Sequence, residues 1–325
     1  MANLCKIFLV GAGQIGSRHL QALARVKIPL EITVIEPIID AVTMAKNRLA
    51  EINGNKKHSV VFLSKMPKNV KKVDLVIVAT TSRDRRKVIE EILGQATVRY
   101  FILEKLLFQK KKDFNAVEKL LKHAGAQTFV NCMMRTIPFY NDLKTKMGDD
   151  KLIYMVNRAD TGIATGAIHY LDHIAFLTGC FDFNVDTSLL RPTVVESKRK
   201  GYLELNGTLR VQFKNGATFI FNNDQIGCPP EVIIYNSNVH TIVREAEQKA
   251  LMSLRAKRWQ WQEVPAIIPY QSVMTTGIVE EILTSGTCPL VQFSDAVKLH
   301  LPFLETLLKF VNTHSEKKYG YYPFT

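Results

Sequence analysis

Cys5-Lys6-Ile7-Phe8-Leu9-Val10-Gly11-Ala12-Gly13-Gln14-Ile15-Gly16 runs an apolar strand straight into a G-x-G-x-x-G turn. Residues 15–26 then continue with the spacing of an amphipathic helix. Gly11 permits the tight turn, Gly13 lets backbone amides approach a pyrophosphate, and Gly16 allows the helix to pack closely on the strand. With Gln14 and Ile15 these glycines form a candidate phosphate loop. Twenty residues past Gly16, Glu36 closes the second apolar run, where a carboxylate would accept hydrogen bonds from ribose hydroxyls. An acid followed by Pro37, rather than by Arg or Ser, repels a 2′-phosphate and favours NAD over NADP, although a flanking arginine would readmit NADP.

Outward from this loop, apolar runs at 5–10, 31–36, 60–63, 74–79, 100–104 and 128–131 alternate with helical spacing at 15–26, 39–52, 83–93 and 112–124. Such alternation predicts an α/β domain over residues 1–132, a doubly wound parallel sheet of Rossmann type. After Pro138 the texture changes. Runs at 202–213, 217–222, 232–235 and 240–245 alternate as antiparallel strands do, and Asn215-Gly216 is a two-residue hairpin signal. Residues 133–325 therefore read as an α+β domain with an open, mainly antiparallel sheet, suited to substrate binding and oligomerisation. A late helix over 293–311 packs against one of the two domains, a return onto the first being one arrangement.

The 325 residues are enough for two domains, and 46% hydrophobic with 22% charged residues excludes wholesale disorder and fibrous architecture. The five cysteines stand singly, which indicates neither a disulfide framework nor a zinc site, so no metal is expected. The opening residues 1–6 lack the features of a signal peptide, and no apolar stretch reaches the length of a membrane span. A cytoplasmic protein without membrane contact is expected. Forty-three Lys and Arg against 30 Asp and Glu leave +13, but the basic clusters at 56–58, 68–72, 83–87, 110–112 and 198–200 are scattered, without interleaved aromatics. They read as solvated surface or as an attractor of an anionic small molecule, not as a nucleic-acid interface.

The opening Val10-Gly11-Ala12-Gly13-Gln14-Ile15-Gly16-Ser17-Arg18-His19-Leu20 resembles the Gfo/Idh/MocA superfamily of oxidoreductases. Four later segments agree in order. Val78-Ala79-Thr80-Thr81-Ser82 resembles the family's A-T-P segment, Glu104-Lys105 its E-K-P motif, Asn131 with Arg135 and Pro138 its domain-crossing segment, and Gly166 to Asp172 its G-x-H-x-x-D helix. Glu196-Ser197-Lys198-Arg199-Lys200-Gly201-Tyr202 is similar to members encoded with bacterial surface-sugar pathways.

The resemblance implies an NAD(P)-dependent oxidoreductase acting on a secondary alcohol or ketone of a sugar, sugar acid or nucleotide-sugar, and pairing as a homodimer or homotetramer through the second sheet. It places Thr80, Thr81, Glu104 and Lys105 at the cofactor, and Lys105 and His169 at the reacting hydroxyl. These residue types suit that chemistry, since a lysine polarises the oxygen and a histidine exchanges the proton. Asp172, one turn from His169, would orient the imidazole, bind substrate, or simply answer the helix dipole. Arg135 and Arg158 would clamp an anionic substrate or form salt bridges.

Three positions depart from the family. Leu106 follows Lys105 in place of proline, Arg85 replaces a histidine, and Thr165 stands where a carboxylate normally partners the histidine four residues on. Thr165 is left as a substrate contact, and its lack of charge motivates an alternative, a degenerate NAD(P)-binding sensor or scaffold. His19 reads as structural. Trp259 and Trp261 would share one face of a strand, for sheet packing or a subunit interface.

Overall fold

The computed structural model describes residues 4–148, 151–159, 161–223 and 227–325; Met1, Ala2 and Asn3, which begin the stretch read as leader-free, lie outside the described residues. The chain forms two compact units, one holding residues up to 131 together with 269–294 and the other holding 132–268 together with 295–325.

The first unit is built from β1 (Cys5–Val10), α1 (Gln14–Ala24), β2 (Leu30–Ile35), α2 (Ile39–Ala50), β3 (Ser59–Leu63), β4 (Lys72–Val78), α3 (Arg85–Gln95), β5 (Thr97–Leu103), α4 (Lys111–His123) and β6 (Gln127–Val130). Its six strands run parallel in the order β6-β5-β4-β1-β2-β3. Val76, Ile77 and Val78 of β4 are wholly buried, as expected of strands covered on both faces. The strand order reverses between β1 and β4, and ligands of open α/β sheets bind outside the carboxyl ends of strands at such a switch point. The loops leaving β1, β4 and β5 there carry the glycines, Thr80 and Lys105.

The second unit begins with a 3-10 turn at Met133–Thr136, then α5 (Pro138–Lys146), β7 (Ile153–Asn157) and α6 (Ile163–Thr178). There follow β8 (Phe183–Asp186), β9 (Leu190–Glu196), β10 (Leu203–Phe213), β11 (Thr218–Asn222), β12 (Glu231–Tyr235), β13 (Val239–Arg244), β14 (Lys249–Leu254) and β15 (Trp261–Pro265). They order as β15-β14-β13-β12-β7-β11-β10-β8, with β9 paired to β10 and only β7 and β11 running parallel. One face, with Tyr154, Val156, Phe219 and Phe221, is buried; across the other runs a registered half-buried apolar row, Ile220, Met155, Ile233, Ile242 and Leu251.

Sequence alternation misses β7, β8, β9, β14 and β15, which are short or irregular. The β10–β11 hairpin closes with Phe213 N–H donating to the Ala217 carbonyl, so three residues turn the chain and only Gly216 takes a left-handed φ of +90°. This is the longer glycine-closed loop rather than the two-residue turn expected. Trp259 also stands in the left-handed region, ahead of β15, so the two tryptophans do not alternate along one strand; Trp259 stacks on His240 with ring centroids 4.5 Å apart. Residues 196–202 form the turn from β9 to β10, with Ser197 N–H donating to the Tyr202 carbonyl.

The chain then forms α7 (Gln271–Ser285), β16 (Val291–Gln292) and α8 (Phe293–His314). The return to the first unit is made by α7 and β16 rather than by the last helix, whose residues from 295 belong to the second unit. Ile278, Val279 and Ile282 of α7 enter the apolar cluster of α1, β1 and β2, and β16 pairs antiparallel with β6. The burial of that apolar face explains the return. Among the described residues no helix is long and apolar enough to cross a membrane.

Candidate functional site

The glycine loop is shaped by what a side chain would strike. A Cβ on Gly16 would stand 1.9 Å from the Gly11 carbonyl oxygen, and one on Gly11, whose φ is +89°, would stand 3.0 Å from the Thr80 nitrogen. Gly13 differs, since nothing lies within 4 Å of its Cβ position. It is the N-cap of α1, where no side chain caps the first-turn amides. Glu36 braces this cradle: one carboxylate oxygen accepts from Ala12 N–H at 2.7 Å and the other from Ile38 N–H at 3.0 Å. Beyond Pro37, the side chains of Ile38 and Ile39 are 61% and 80% exposed.

Arg48 of α2 donates to the Gln14 carbonyl at 3.0 Å, to Gln14 Oε1 at 2.7 Å and to Ser17 Oγ at 2.6 Å. No local pattern in the sequence marks that arginine. Across from Gly11 the Thr80 hydroxyl is buried with no hydrogen-bond partner among the described residues. A buried hydroxyl without a partner is costly. Glycines, hydroxyl and Glu36 together suit a dinucleotide.

Arg85 is 1% exposed and ties two of the loops together. Its guanidinium donates to the carbonyls of Thr80 and Leu106, and to that of Leu107 at 2.9 Å. The residue read as a departure from the family is thus the clamp that shapes the loop after Lys105. Leu106 itself is buried, and the Lys105–Leu106 peptide is cis.

Behind Lys105 lies a closed ring of buried polar groups. Glu104 Oε1 accepts from His19 Nε2 at 2.9 Å and from Asn131 Nδ2 at 2.6 Å. His19 Nδ1 meets Thr275 Oγ1 at 2.8 Å, Gln271 Nε2 donates to that hydroxyl at 2.7 Å, and Asn131 Nδ2 donates to Gln271 Oε1 at 3.0 Å. Burial pushes the Glu104 carboxyl up, but the His19 and Asn131 hydrogen bonds and the neighbouring Lys105 cation outweigh it and hold the carboxyl at about 2. His19 Nε2 therefore carries a proton toward a carboxylate. The first-helix histidine is structural, as its position suggests, and it fixes the residue preceding Lys105.

In the second unit α6 carries His169, which is half-buried, and Asp172, which is wholly buried. Asp172 takes both arms of Arg135, from Nε at 2.8 Å and Nη2 at 2.7 Å. Burial pushes its carboxyl up to about 6 and the guanidinium keeps it from rising further. Asp172 and Arg135 thus satisfy each other inside the fold, the salt-bridge alternative open to Arg135 in the sequence. Arg158 likewise donates to Glu245 at 2.7 Å and to the Tyr170 hydroxyl at 2.9 Å, the salt-bridge alternative rather than a substrate clamp. Thr165 donates its hydroxyl proton to Glu204 at 2.7 Å, which withdraws that proton from any substrate. Neither Glu204 nor Glu245 is legible in sequence, because each is a single acid in a strand or turn brought to its partner by the sheet.

No protein-family model and no curated protein matches the chain. Its fold matches solved structures over nearly full length. It is similar to UDP-N-acetylglucosamine 3-dehydrogenase GnnA from Acidithiobacillus ferrooxidans, at 13% identity over 94% of this chain and 97% of that one, TM-score 0.66. An oxidoreductase from Agrobacterium radiobacter, in complex with NAD+, L-tartaric acid and magnesium, matches at 15% identity over 93% and 94%, TM-score 0.67. A super-repressor mutant of Gal80p from Saccharomyces cerevisiae matches at 12% over 96% and 97%, TM-score 0.70. The chain thus shares the two-part fold of these solved structures.

Proposed function

We propose that this chain is an NAD(P)-dependent oxidoreductase acting on a secondary alcohol, or the matching ketone, of a sugar or sugar derivative. The observation that carries the reading is the glycine loop, in which Gly11 and Gly16 admit no side chain while the Cβ position of Gly13 is open. When bound, a nicotinamide would accept or donate the hydride. The chain's own residues do the rest. The α1 amides hold the pyrophosphate and Glu36 receives the ribose hydroxyls. The exposed Ile38 and Ile39 offer the adenine an apolar seat, and the Thr80 hydroxyl gains a partner from the ligand. Lys105 polarises the reacting oxygen, and His169 takes its proton on oxidation and returns it on reduction.

The UDP-sugar dehydrogenase among the similar structures supports a sugar-type substrate. Arg135 and Arg158 pair with Asp172 and Glu245, which supports their salt-bridge role over that of a substrate clamp. The test begins with fluorescence titration of NADH and of NADPH into wild type and Glu36→Ala. Tighter NADH binding is expected, with the gap narrowed in the variant; no binding of either overturns the reading. Turnover of sugars and nucleotide-sugars is then compared in wild type, Lys105→Ala and His169→Gln, where undiminished turnover in either variant removes that residue's role. NADH binding without turnover of any substrate selects the sensor or scaffold alternative, whose fold precedent is Gal80p.

A further inference from the structure

Glu204 is the one carboxylate in the second unit's buried polar network that takes only neutral donors among its described partners. Reaching from β10 to the first turn of α6, its Oε1 accepts from Ala164 N–H at 2.6 Å and Leu205 N–H at 3.0 Å. Its Oε2 accepts from Thr165 Oγ1 at 2.7 Å and Thr165 N–H at 3.3 Å. The residue is 8% exposed. Room for it is made by Gly162, the N-cap of α6, where a Cβ would stand 1.8 Å from Glu204 Cγ.

The other charges around α6 are arranged differently. Asp172 is matched by Arg135, Glu245 by Arg158, and Asp295, which bears on Asp172, by Lys298. His173, packed against Tyr140 and Tyr154, is held uncharged: burial pushes it down to about 3. A charge on Glu204 at the start of this helix is met by hydrogen bonds from neutral donors among the described residues. Burial pushes its carboxyl up, yet four donors occupy its two oxygens, and a proton on either would have to displace one of them.

Thr165 lies between this charge and His169. The two residues are four apart on α6 and so share a face, one turn from each other. With its proton given to Glu204, the Thr165 hydroxyl is left as an acceptor. We infer that Glu204, acting through Thr165, is the carboxylate that bears on His169, supplied from a neighbouring strand where the helix places Thr165 one turn before the histidine. Its negative charge opposes the positive helix N-terminus and favours the protonated imidazole, the form that returns a proton to a carbonyl. Glu204 is a positioning residue, and its role rests on His169 being the proton carrier proposed above.

Histidine-resolved NMR titration of the purified protein tests this without any substrate, the His169 signal being assigned by its loss in His169→Gln. Glu204→Gln is expected to lower the His169 titration midpoint by about one pH unit, a tenfold loss of proton affinity. Thr165→Val, which leaves the amide donors to Glu204 in place, is expected to lower it less. Glu204→Gln with Thr165→Asp, which moves the carboxylate onto the helix, is expected to restore most of the shift and covers the case in which Glu204→Gln alone does not fold. An unmoved midpoint in folded Glu204→Gln or in the double variant against Thr165→Val overturns the inference. Failure of the enzymatic reading shows separately, as full turnover in His169→Gln.

Discussion

A methyl group on Gly16 has nowhere to go, because the Gly11 carbonyl oxygen would lie 1.9 Å away. Gly16→Ala must push α1 off β1 and is expected to cost about 1–3 kcal/mol by urea denaturation. Gly13→Ala gives the opposite pattern. Its Cβ meets nothing and its φ of −63° is ordinary, so stability is unchanged while the methyl fills the cradle. NADH affinity measured by fluorescence is expected to fall at least about tenfold, or 1.4 kcal/mol. Equal stability losses in the two variants would refute the distinction. The glycine roles were legible in sequence because φ and close approach are local demands. The partnerless Thr80 hydroxyl was not, since its environment is assembled from separate loops.

At the scale of elements, α6 is held by ion pairs rather than aimed at a substrate through them. Arg135→Met leaves the buried Asp172 unpaired and is expected to cost about 3–5 kcal/mol. Arg135→Met with Asp172→Leu is expected to regain most of that stability. If turnover is found, KM should stay near wild type in the double variant; a large rise in KM would return Arg135 to the substrate. The ring behind Lys105 joins β5 and α1 to α7, so Thr275→Val, which removes the hydroxyl between His19 and Gln271, is expected to cost about 1–3 kcal/mol. Sequence placed Glu104 and Asn131 in motifs but could not supply Gln271 and Thr275. These stand 140 or more positions further on, and only the return of α7 brings them back.

For the whole molecule, His173 and Glu104 lose stability in acid, while Asp172, raised to about 6 against an ordinary 3.8, offsets part of that loss below about pH 6. His173 is held down at about 3 against an ordinary value of 6.5, so the unfolded chain takes up a proton that the folded one refuses as pH falls through that window. Glu104, at about 2, adds stability present above its ordinary value of 4.5 and lost as pH falls toward 2, about 3 kcal/mol in all. Relative to wild type, His173→Gln should therefore remove a loss of unfolding free energy below about pH 6.5, and Glu104→Gln one below about pH 4.5. Identical slopes in wild type and both variants would refute the assignment. The apolar row Ile220, Met155, Ile233, Ile242 and Leu251 motivates pairing of two copies through this face. Light scattering is expected to give a dimeric or tetrameric mass for wild type and a monomeric one for Ile233→Lys; a monomeric wild type counts against the pairing.

By itself the sequence determined what depends on neighbouring residues. The strand, glycine turn and helix, the parallel alternation that follows, and the change to antiparallel strands after Pro138 all rest on local periodicity and φ. Tertiary structure decided which charges meet. Asp172 and Arg135 are 37 residues apart, Thr165 and Glu204 39, and Arg158 and Glu245 87. In sequence each is a lone ionisable or polar residue free to face a substrate. Burial then demands a partner for every charge, and the fold chooses it, because an unpaired charge costs more in the interior than any local preference can offset.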